Sequence, residues 1–383
     1  MTWDLVVVGA GPAGSAAALG ALAAEPGLSV LLLDRHDFPR DKACGDGIAP
    51  QVFDLLAEVG VTGLVDDRMP IRRLSLRRGS LGVDRLMARP AYVVPRTLFD
   101  QRLVEAAQEA GAVLRKQRVA RIDVQTSAVL VDDEEARMVV GADGAHSLVR
   151  GALGVAAGPV ALALRGYAPT PASRAGQQVI VFGTARQPSY AWSFDRGDGW
   201  SNVGYGEQLR AGQDHPTRAG LLACLEKLLP EASVGGTDWR GHQLPLSGWA
   251  WRPQAGRVML VGDAAGLINP MTGEGIYYAV ATGMLAGKAA AEAIRGGSGD
   301  AGTEYRKASE RLLGQHFRHT ALVAGLTRSG VVLDAGIRAS AADQGVFDNL
   351  VEIGLADGAL RVRSLGRVVK QALAHGVGRR SGG

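Results

Sequence analysis

Apolar and polar positions divide this chain into segments of different kinds. Short apolar runs without alternation, LVVV at 5–8, SVLLLD at 29–34 and VMLV at 258–261, predict parallel strands buried on both faces. Ala-rich stretches, SAAALGALAA at 15–24 and IYYAVATGMLAGKAAAEAI at 276–294, predict closely packed helices. SYAWSFDRGDGWSNVGYG at 189–206 alternates instead: two strands flank a GDG turn, and Tyr190, Trp192 and Phe194 fall on one face. Residues 71–94, ALALRGYAP and QQVIVFGT add further strands, while RAGLLACLEKLL and the C-terminal stretch read as helical. In VVPRTLFDQRL, 93–103, Thr97 with Asp100 reads as a helix cap, and Phe99, Leu103 and Ala107 follow at helical spacing.

This order predicts an α/β fold: a Rossmann-like nucleotide-binding domain, an interleaved antiparallel-sheet domain, and C-terminal helices. The expected boundaries are 1–70, 96–157 and 250–298 for the first, 71–95 and 158–249 for the second, and 299–383 for the helices.

Between the first strand and helix lies GAGPAG, 9–14. Gly9 permits the tight turn, Gly11 the approach of a pyrophosphate, and Gly14 close helix–strand packing. The helix N-terminus then offers free N–H groups and a partial positive charge. Asp34 ends the second strand, where an acid is expected to bind an adenosine ribose. Gly262-Asp263 ends a later strand and suits a polyhydroxyl chain, since a carboxylate accepts several hydrogen bonds. Gly273 and Gly275 precede a helix whose N-terminus favours negative charge on a bound ring.

Composition narrows the picture. Hydrophobic residues make up 46% of 383 and charged ones 21%, so a large core is available and disorder is not expected. The net charge is +4 with the basic residues scattered, which does not describe a nucleic-acid surface. Cys44 and Cys224, the two cysteines, give no disulfide framework and suit a reducing cytoplasm. The seven histidines show no metal-ligand spacing. The apolar run at 5–24 is broken by glycines and Pro12 and preceded by Asp4, so a soluble protein is expected rather than a signal or span.

GAGPAG, VVGADGAHS (139–147) and RVMLVGDAAGLINPMTGEGI (257–276) together resemble FAD-dependent oxidoreductases of the aromatic-hydroxylase type. FPRDKACGDGIAP (38–50) and NPMTGEGIYYAVATG (269–283) resemble the geranylgeranyl reductase family within it. The resemblance implies FAD as cofactor. It assigns to its site Gly9, Gly11, Ala13, Gly14, Asp34, Arg35, Lys42, Ala43, Gly45, Arg96, Val119, Asp143, Gly262, Asp263, Pro270, Gly273, Gly275 and Ile276. It places Cys44 near flavin and substrate, where two readings stand, a reactive thiol or a small hydrophobe that fills space. Lys42 and loop N–H groups favour the thiolate and burial the thiol; Gly45 and Gly47 are expected to let the backbone pass close to the flavin ring.

It also makes Tyr190, Trp192 and Phe194 a substrate-binding wall, although Asp195 stands where the family has proline. The implied activity is reduction of a carbon–carbon double bond in a hydrophobic, isoprenoid or polyketide-type substrate; the alternative is a flavin-dependent monooxygenase. A halogenase is disfavoured because no lysine lies between 43 and 115. No second GxGxxG unit is present, so electrons are expected from transient NAD(P)H, a flavin reductase or a ferredoxin. The substrate-domain pieces are short, which predicts a tight cavity. RVRSLGRVVKQALAHGVGRR, 361–380, is basic, with Leu365, Val368, Val369 and Ala372 at helical spacing. It reads either as a helix docked on its own domain or as a membrane-surface helix.

Overall fold

A computed structural model describes residues 2–183, 187–210, 212, 215–248 and 252–376. Two sheets organise the chain. The first, seven-stranded, comprises β1 (Thr2–Val8), β2 (Val30–Asp34), β6 (Val113–Lys116), β7 (Ile122–Val124), β8 (Val129–Val131), β9 (Glu134–Gly141) and β15 (Val258–Leu260). Its order is β6-β2-β1-β9-β8-β7, with β15 also on β9; β6, β2, β1, β9 and β15 pair in parallel. The expected buried strand is there: Leu5, Val6 and Val7 are wholly buried, Leu5 and Val7 in a core shared with helical residues such as Ala17 and Val280, and Val6 on the other face among Val129, Val131 and Val149.

The second, eight-stranded, comprises β3 (Gly47–Ile48), β4 (Ile71–Arg78), β5 (Leu81–Val93), β10 (Val160–Pro169), β11 (Gln177–Phe182), β12 (Ser189–Asp195), β13 (Trp200–Gln208) and β14 (Thr237–Pro245). Its order, β14-β10-β13-β12-β11-β4-β5-β3, joins two insertions far apart in sequence. The seam between them is the parallel pair β11–β4, a departure from the expected antiparallel sheet: a strand recruited from a separate insertion need not follow hairpin geometry.

Among the described residues ten α-helices complete the fold: α1 (Pro12–Ala24), α2 (Pro50–Ala57), α3 (Arg96–Glu109), α4 (Leu148–Ala152), α5 (Arg218–Leu228), α6 (Ile276–Arg295), α7 (Gly302–Leu326), α8 (Gly330–Ala342), α9 (Gln344–Leu355) and α10 (Val362–Gly376). The run at 5–24 is a buried strand, a turn and a buried helix. Among the described residues no single helix is long and apolar enough to cross a membrane.

The packing of α1 on α6 positions both glycine-rich loops. A Cβ on Gly283 would stand 2.2 Å from the Ala13 carbonyl oxygen, and one on Gly287 2.0 Å from that of Ala17. On the opposing helix a Cβ at Gly20 would meet the Met284 carbonyl at 2.6 Å. The two backbones therefore touch, in parallel register, and their N-termini open on one cleft. Gly287→Val is expected to cost at least about 1–3 kcal/mol, because the obstacle is backbone rather than a flexible side chain. A urea-denaturation midpoint equal to wild type contradicts this packing.

Candidate active site

A single cavity of about 1370 Å³ runs from the end of β1 to the C-terminal helices. That exceeds the roughly 300–1,000 Å³ typical of a pocket for one drug-sized ligand. It has a polar half and an apolar half.

In the polar half, Gly9 turns with φ +100°, and its missing Cβ leaves room for the Ala142 carbonyl, 2.4 Å from where that carbon would stand. Pro12 opens α1, where a missing N–H costs nothing. Asp34 accepts from the N–H groups of Ala10 (3.0 Å) and His36 (2.9 Å), fixing the loop and leaving each oxygen a second acceptor site. Arg35 is exposed on the rim of this end, and Val119 lines it half-buried. Asp143 accepts from Ser147 Oγ (2.5 Å) and from the N–H groups of Leu148 and Val149, so its carboxylate starts α4 and shapes the turn at Gly144.

The expected cap on α3 is not formed. Pro95 precedes the helix, Arg96 is its first residue, and Thr97 lies inside it. Asp100 instead chelates the buried Arg96 through both oxygens, at 2.6 and 2.8 Å, and holds Arg40 at 3.2 Å. Sequence reasoning missed Arg40, although it stands in the quoted loop four residues before Cys44. Its Nη2 lies 2.9 Å from an imagined Cβ on Gly11, and that of Arg96 4.0 Å from it. Burial, then the proximity of Arg96, lowers the Arg40 pKa, whereas Asp100 overcomes burial to raise that of Arg96. Two guanidiniums converging on a glycine loop at a helix N-terminus make a cradle for a phosphate.

Further along, Lys42 Nζ pairs with Asp263 Oδ2 at 2.7 Å. Burial alone would raise the Asp263 carboxyl, but Lys42 holds it below its usual range. His242 on β14 faces the same region. Burial and then Lys42 push its imidazole down to about 4, and its Nε2 has no hydrogen-bond partner. Gly262, in the left-handed region at φ +54°, packs against Ala13. Gly273 passes beneath the Tyr190 hydroxyl, and Gly275 caps α6 ahead of the buried Ile276. Ala43 and Pro270 complete this wall.

The apolar half begins at Cys44. Against the pull of Arg96, burial raises its pKa above the ordinary thiol value, which favours the thiol. The open side of Gly45 faces Phe194 (3.6 Å) and Trp192 (3.7 Å), and that of Gly47 faces the Gln178 amide (3.6 Å) and Phe194 (3.7 Å). Tyr190, Trp192 and Phe194 share one face as expected, with Phe182 extending them; successive ring centroids are 6.2, 5.9 and 6.4 Å apart. Tyr190 donates to the Thr272 carbonyl, tying the roof to the loop before α6. Asp195, in the proline position, accepts from Gly176 N (2.6 Å), Gly197 N (3.0 Å) and Thr170 Oγ1 (3.2 Å) at the hairpin end. It is absent from the cavity lining, so this departure leaves the aromatic wall intact.

The apolar half also reaches beyond the substrate-domain strands: Leu326, Leu333, Ile337, Val351, Leu355 and Val368 from α7–α10 supply a further apolar wall that strand-based reasoning did not see.

Two carboxyls, the half-buried Glu274 and the buried Asp46, were also missed. Glu274 heads α6 and accepts from Tyr277 N at 3.0 Å; burial nevertheless pushes its carboxyl up to about 7. Its signal was a lone acid between Gly273 and Gly275. Asp46, with φ 58°, occupies the left-handed region between Gly45 and Gly47, a conformation Asp tolerates better than most residues. Its Oδ2 accepts from Tyr167 OH (2.6 Å) and Asn202 Nδ2 (2.9 Å), and Asn202 also donates to the Cys44 carbonyl (2.7 Å). Trp192 Nε1 donates to Asn202 Oδ1 at 2.8 Å, so one side chain couples roof and loop.

The chain matches the FAD binding domain family over residues 2–312. It is 35% identical over 349 residues to the menaquinone reductase of Mycolicibacterium smegmatis, covering 82% of this chain and 81% of that one. It is 32% identical over 356 residues to digeranylgeranylglycerophospholipid reductase 1 of Methanopyrus kandleri, covering 84% and 88%. A solved geranylgeranyl bacteriochlorophyll reductase-like protein from Thermoplasma acidophilum shares the fold, with a TM-score of 0.74 at 22% identity over 98% of this chain and 96% of that one.

Burial raises the Asp46 carboxyl from 3.8 to about 6 despite its two donors. The folded state thus binds a proton more tightly than the unfolded one. The resulting destabilisation grows as pH rises through that interval and is complete above it. Asp46→Asn keeps an acceptor for Tyr167 and Asn202 without the charge. Its stability relative to wild type is expected to rise between about pH 4 and 6 and then level off. Urea midpoints that stay parallel across this range contradict the buried-charge assignment.

Proposed function

We propose, for a chain that belongs to the geranylgeranyl reductase family of FAD-dependent oxidoreductases, that it reduces a carbon–carbon double bond in the isoprenoid chain of a membrane lipid or quinone. The observation that carries this reading is the apolar half of the cavity, which continues from Cys44 past the aromatic wall to the C-terminal helices. A slot of that lining accepts a flexible hydrocarbon tail and excludes water.

The polar half fits FAD. Arg40 and Arg96 over Gly11 suit the pyrophosphate, and the acceptor sites left on Asp34 suit the adenosine ribose. Asp263 with Lys42 suits the ribityl chain, His242 Nε2 supplies an unsatisfied polar atom beside it, and the α6 N-terminus favours negative charge on the ring. We assign these residues, with the segments 1–70, 96–157 and 250–298, to the cofactor. Bound and reduced, FAD supplies a hydride.

Saturating a double bond also requires a proton. Two side chains of the same pocket hold one near neutral pH: Cys44, kept a thiol by burial, and Glu274, which titrates at about 7. We assign the transferred proton to the Cys44 thiol and its replacement to Glu274. The roof orients the alkene, since Tyr190 and Trp192 are themselves fixed by Thr272 and Asn202. With no second nucleotide fingerprint in the chain, electrons arrive from transiently bound NAD(P)H, a flavin reductase or a ferredoxin.

Mass spectrometry of the product after anaerobic turnover of a polyprenyl substrate tests the reading. A gain of two hydrogens supports it. A gain of one oxygen in air, or no change in mass, overturns it in favour of a monooxygenase or an isomerase.

The proton assignments separate by variant. Cys44→Ser is expected to lower turnover about 10²-fold with the bound-flavin spectrum unchanged. Wild-type turnover falls as pH rises through about 7, where Glu274 loses its proton, and Glu274→Gln removes that limb. Unchanged turnover in Cys44→Ser makes Cys44 packing, and a retained limb in Glu274→Gln removes Glu274 from the proton path.

A further inference from the structure

A hydrocarbon tail resident in a bilayer has to reach the cavity, and the structure shows where the cavity opens. Leu326 at the end of α7 and Leu365 on α10 both line it, yet are 42% and 40% exposed. Besides the polar rim at Arg35, the cavity therefore has an apolar mouth between the elbow of α7 and α8, bent by 116°, and α10. Leu360 N, just before α10, donates to His319 Nδ1 on α7 at 2.9 Å, which pins the two sides of the opening together.

The surface around this mouth is unlike the rest of the molecule. Val362, Leu365, Val369 and Leu373 follow at helical spacing on α10 and are 87%, 40%, 47% and 64% exposed. Leu322 and Val331, 49% and 47% exposed, continue the patch on the elbow. Ser364, on the opposite side of α10, is buried and Val368 half-buried, so the helix docks by one face and leaves an apolar edge outward. Arg363, Lys370 and Arg328 are exposed beside that edge, while Arg361 and Arg367 are tied to Glu352 and Asp343. An outward apolar stripe with a basic border is the pattern of a helix lying in a lipid interface. The two sequence readings of α10 thus combine, since it is docked on its own domain and carries a membrane-facing edge.

We propose that α10 and the α7–α8 elbow form a membrane-docking face that sets the cavity mouth against the surface of an anionic bilayer. The inference rests on the substrate reading above, but its test does not use substrate. The apolar edge enters the acyl boundary, the basic border meets lipid phosphates, and a tail passes from bilayer to cavity without crossing water.

Flotation of the FAD-loaded full chain with vesicles of phosphatidylcholine, alone or with about one third phosphatidylglycerol, decides it. Wild type is expected to float with the anionic vesicles. Val369→Glu with Leu373→Glu is expected to reduce that partition at least tenfold. Arg363→Gln with Lys370→Gln is expected to reduce it about fivefold per charge on anionic vesicles only. These four positions lie outside the cavity lining, so flavin content, melting temperature and turnover of a short, water-soluble isoprenoid are expected to match wild type in both variants. Wild type that stays in the soluble fraction, or variants that float equally, overturn the proposal. So does light scattering that finds a dimer dissociated by the glutamates, since the patch is then covered by a second copy. Flotation without any turnover of the soluble isoprenoid leaves the docking face standing and removes the substrate reading instead.

Discussion

The backbone contact between α1 and α6 is the constraint on which the site depends. Each helix begins where a glycine-rich loop ends, and each presents glycine or alanine where a larger side chain would push the partner away. Because Ala13 meets Gly283 while Ala17 meets Gly287, the two N-termini open side by side on one cleft. Gly262, packed on Ala13, carries Asp263 into the space between them. A wider separation would divide the helix-terminus charges between two sites. At this separation they act on one extended ligand, a requirement of dinucleotide binding that a single loop does not meet.

In the polar half two guanidiniums share one carboxylate at close range, with Asp34 a looser partner of Arg40 at 3.8 Å. The wholly buried Asp100 is shared by Arg96 and Arg40; burial first, and then crowding by Arg96, lowers the Arg40 pKa. An anion over Gly11 relieves that crowding, so ligand binding and local stability reinforce each other there. Lys42 and Asp263 form a one-to-one pair, which suits a hydroxyl-bearing chain that offers both donors and acceptors.

What was legible in the chain follows the range of the interaction. GAGPAG, Asp34, the Gly262-Asp263 pair and the alternation of Tyr190, Trp192 and Phe194 are local patterns, and each predicted the element that carries it. The α3 start misled because Asp100 looked like the acid of a cap. Its partners, Arg96 one turn back and Arg40 in another loop, are set by burial, which no spacing encodes. Asp46 and Asn202 were invisible for the same reason: the bond between them spans 156 positions. The apolar wall from α7–α10 escaped notice because an amphipathic helix announces that it packs but not against what.

The loop 41–47 is where the two halves of the molecule become one. On its polar side Asp41 receives Arg165 and Arg240 from β10 and β14, and Lys42 crosses to Asp263. On its apolar side Asn202 takes the Cys44 carbonyl and Asp46 together, while the same amide holds Trp192. Every one of these contacts joins the loop to another element, so it cannot shift without loosening the roof above the thiol. This accounts for a charged residue at a left-handed position, where glycine would adopt the backbone with less strain: only a side chain there reaches Tyr167 on β10 and Asn202 on β13. A small conformational cost in the loop is exchanged for a fixed distance between the polar cleft and the aromatic roof. For a reaction in which a hydride and a proton must reach adjacent carbons of a flexible chain, that distance is the quantity the protein has to control.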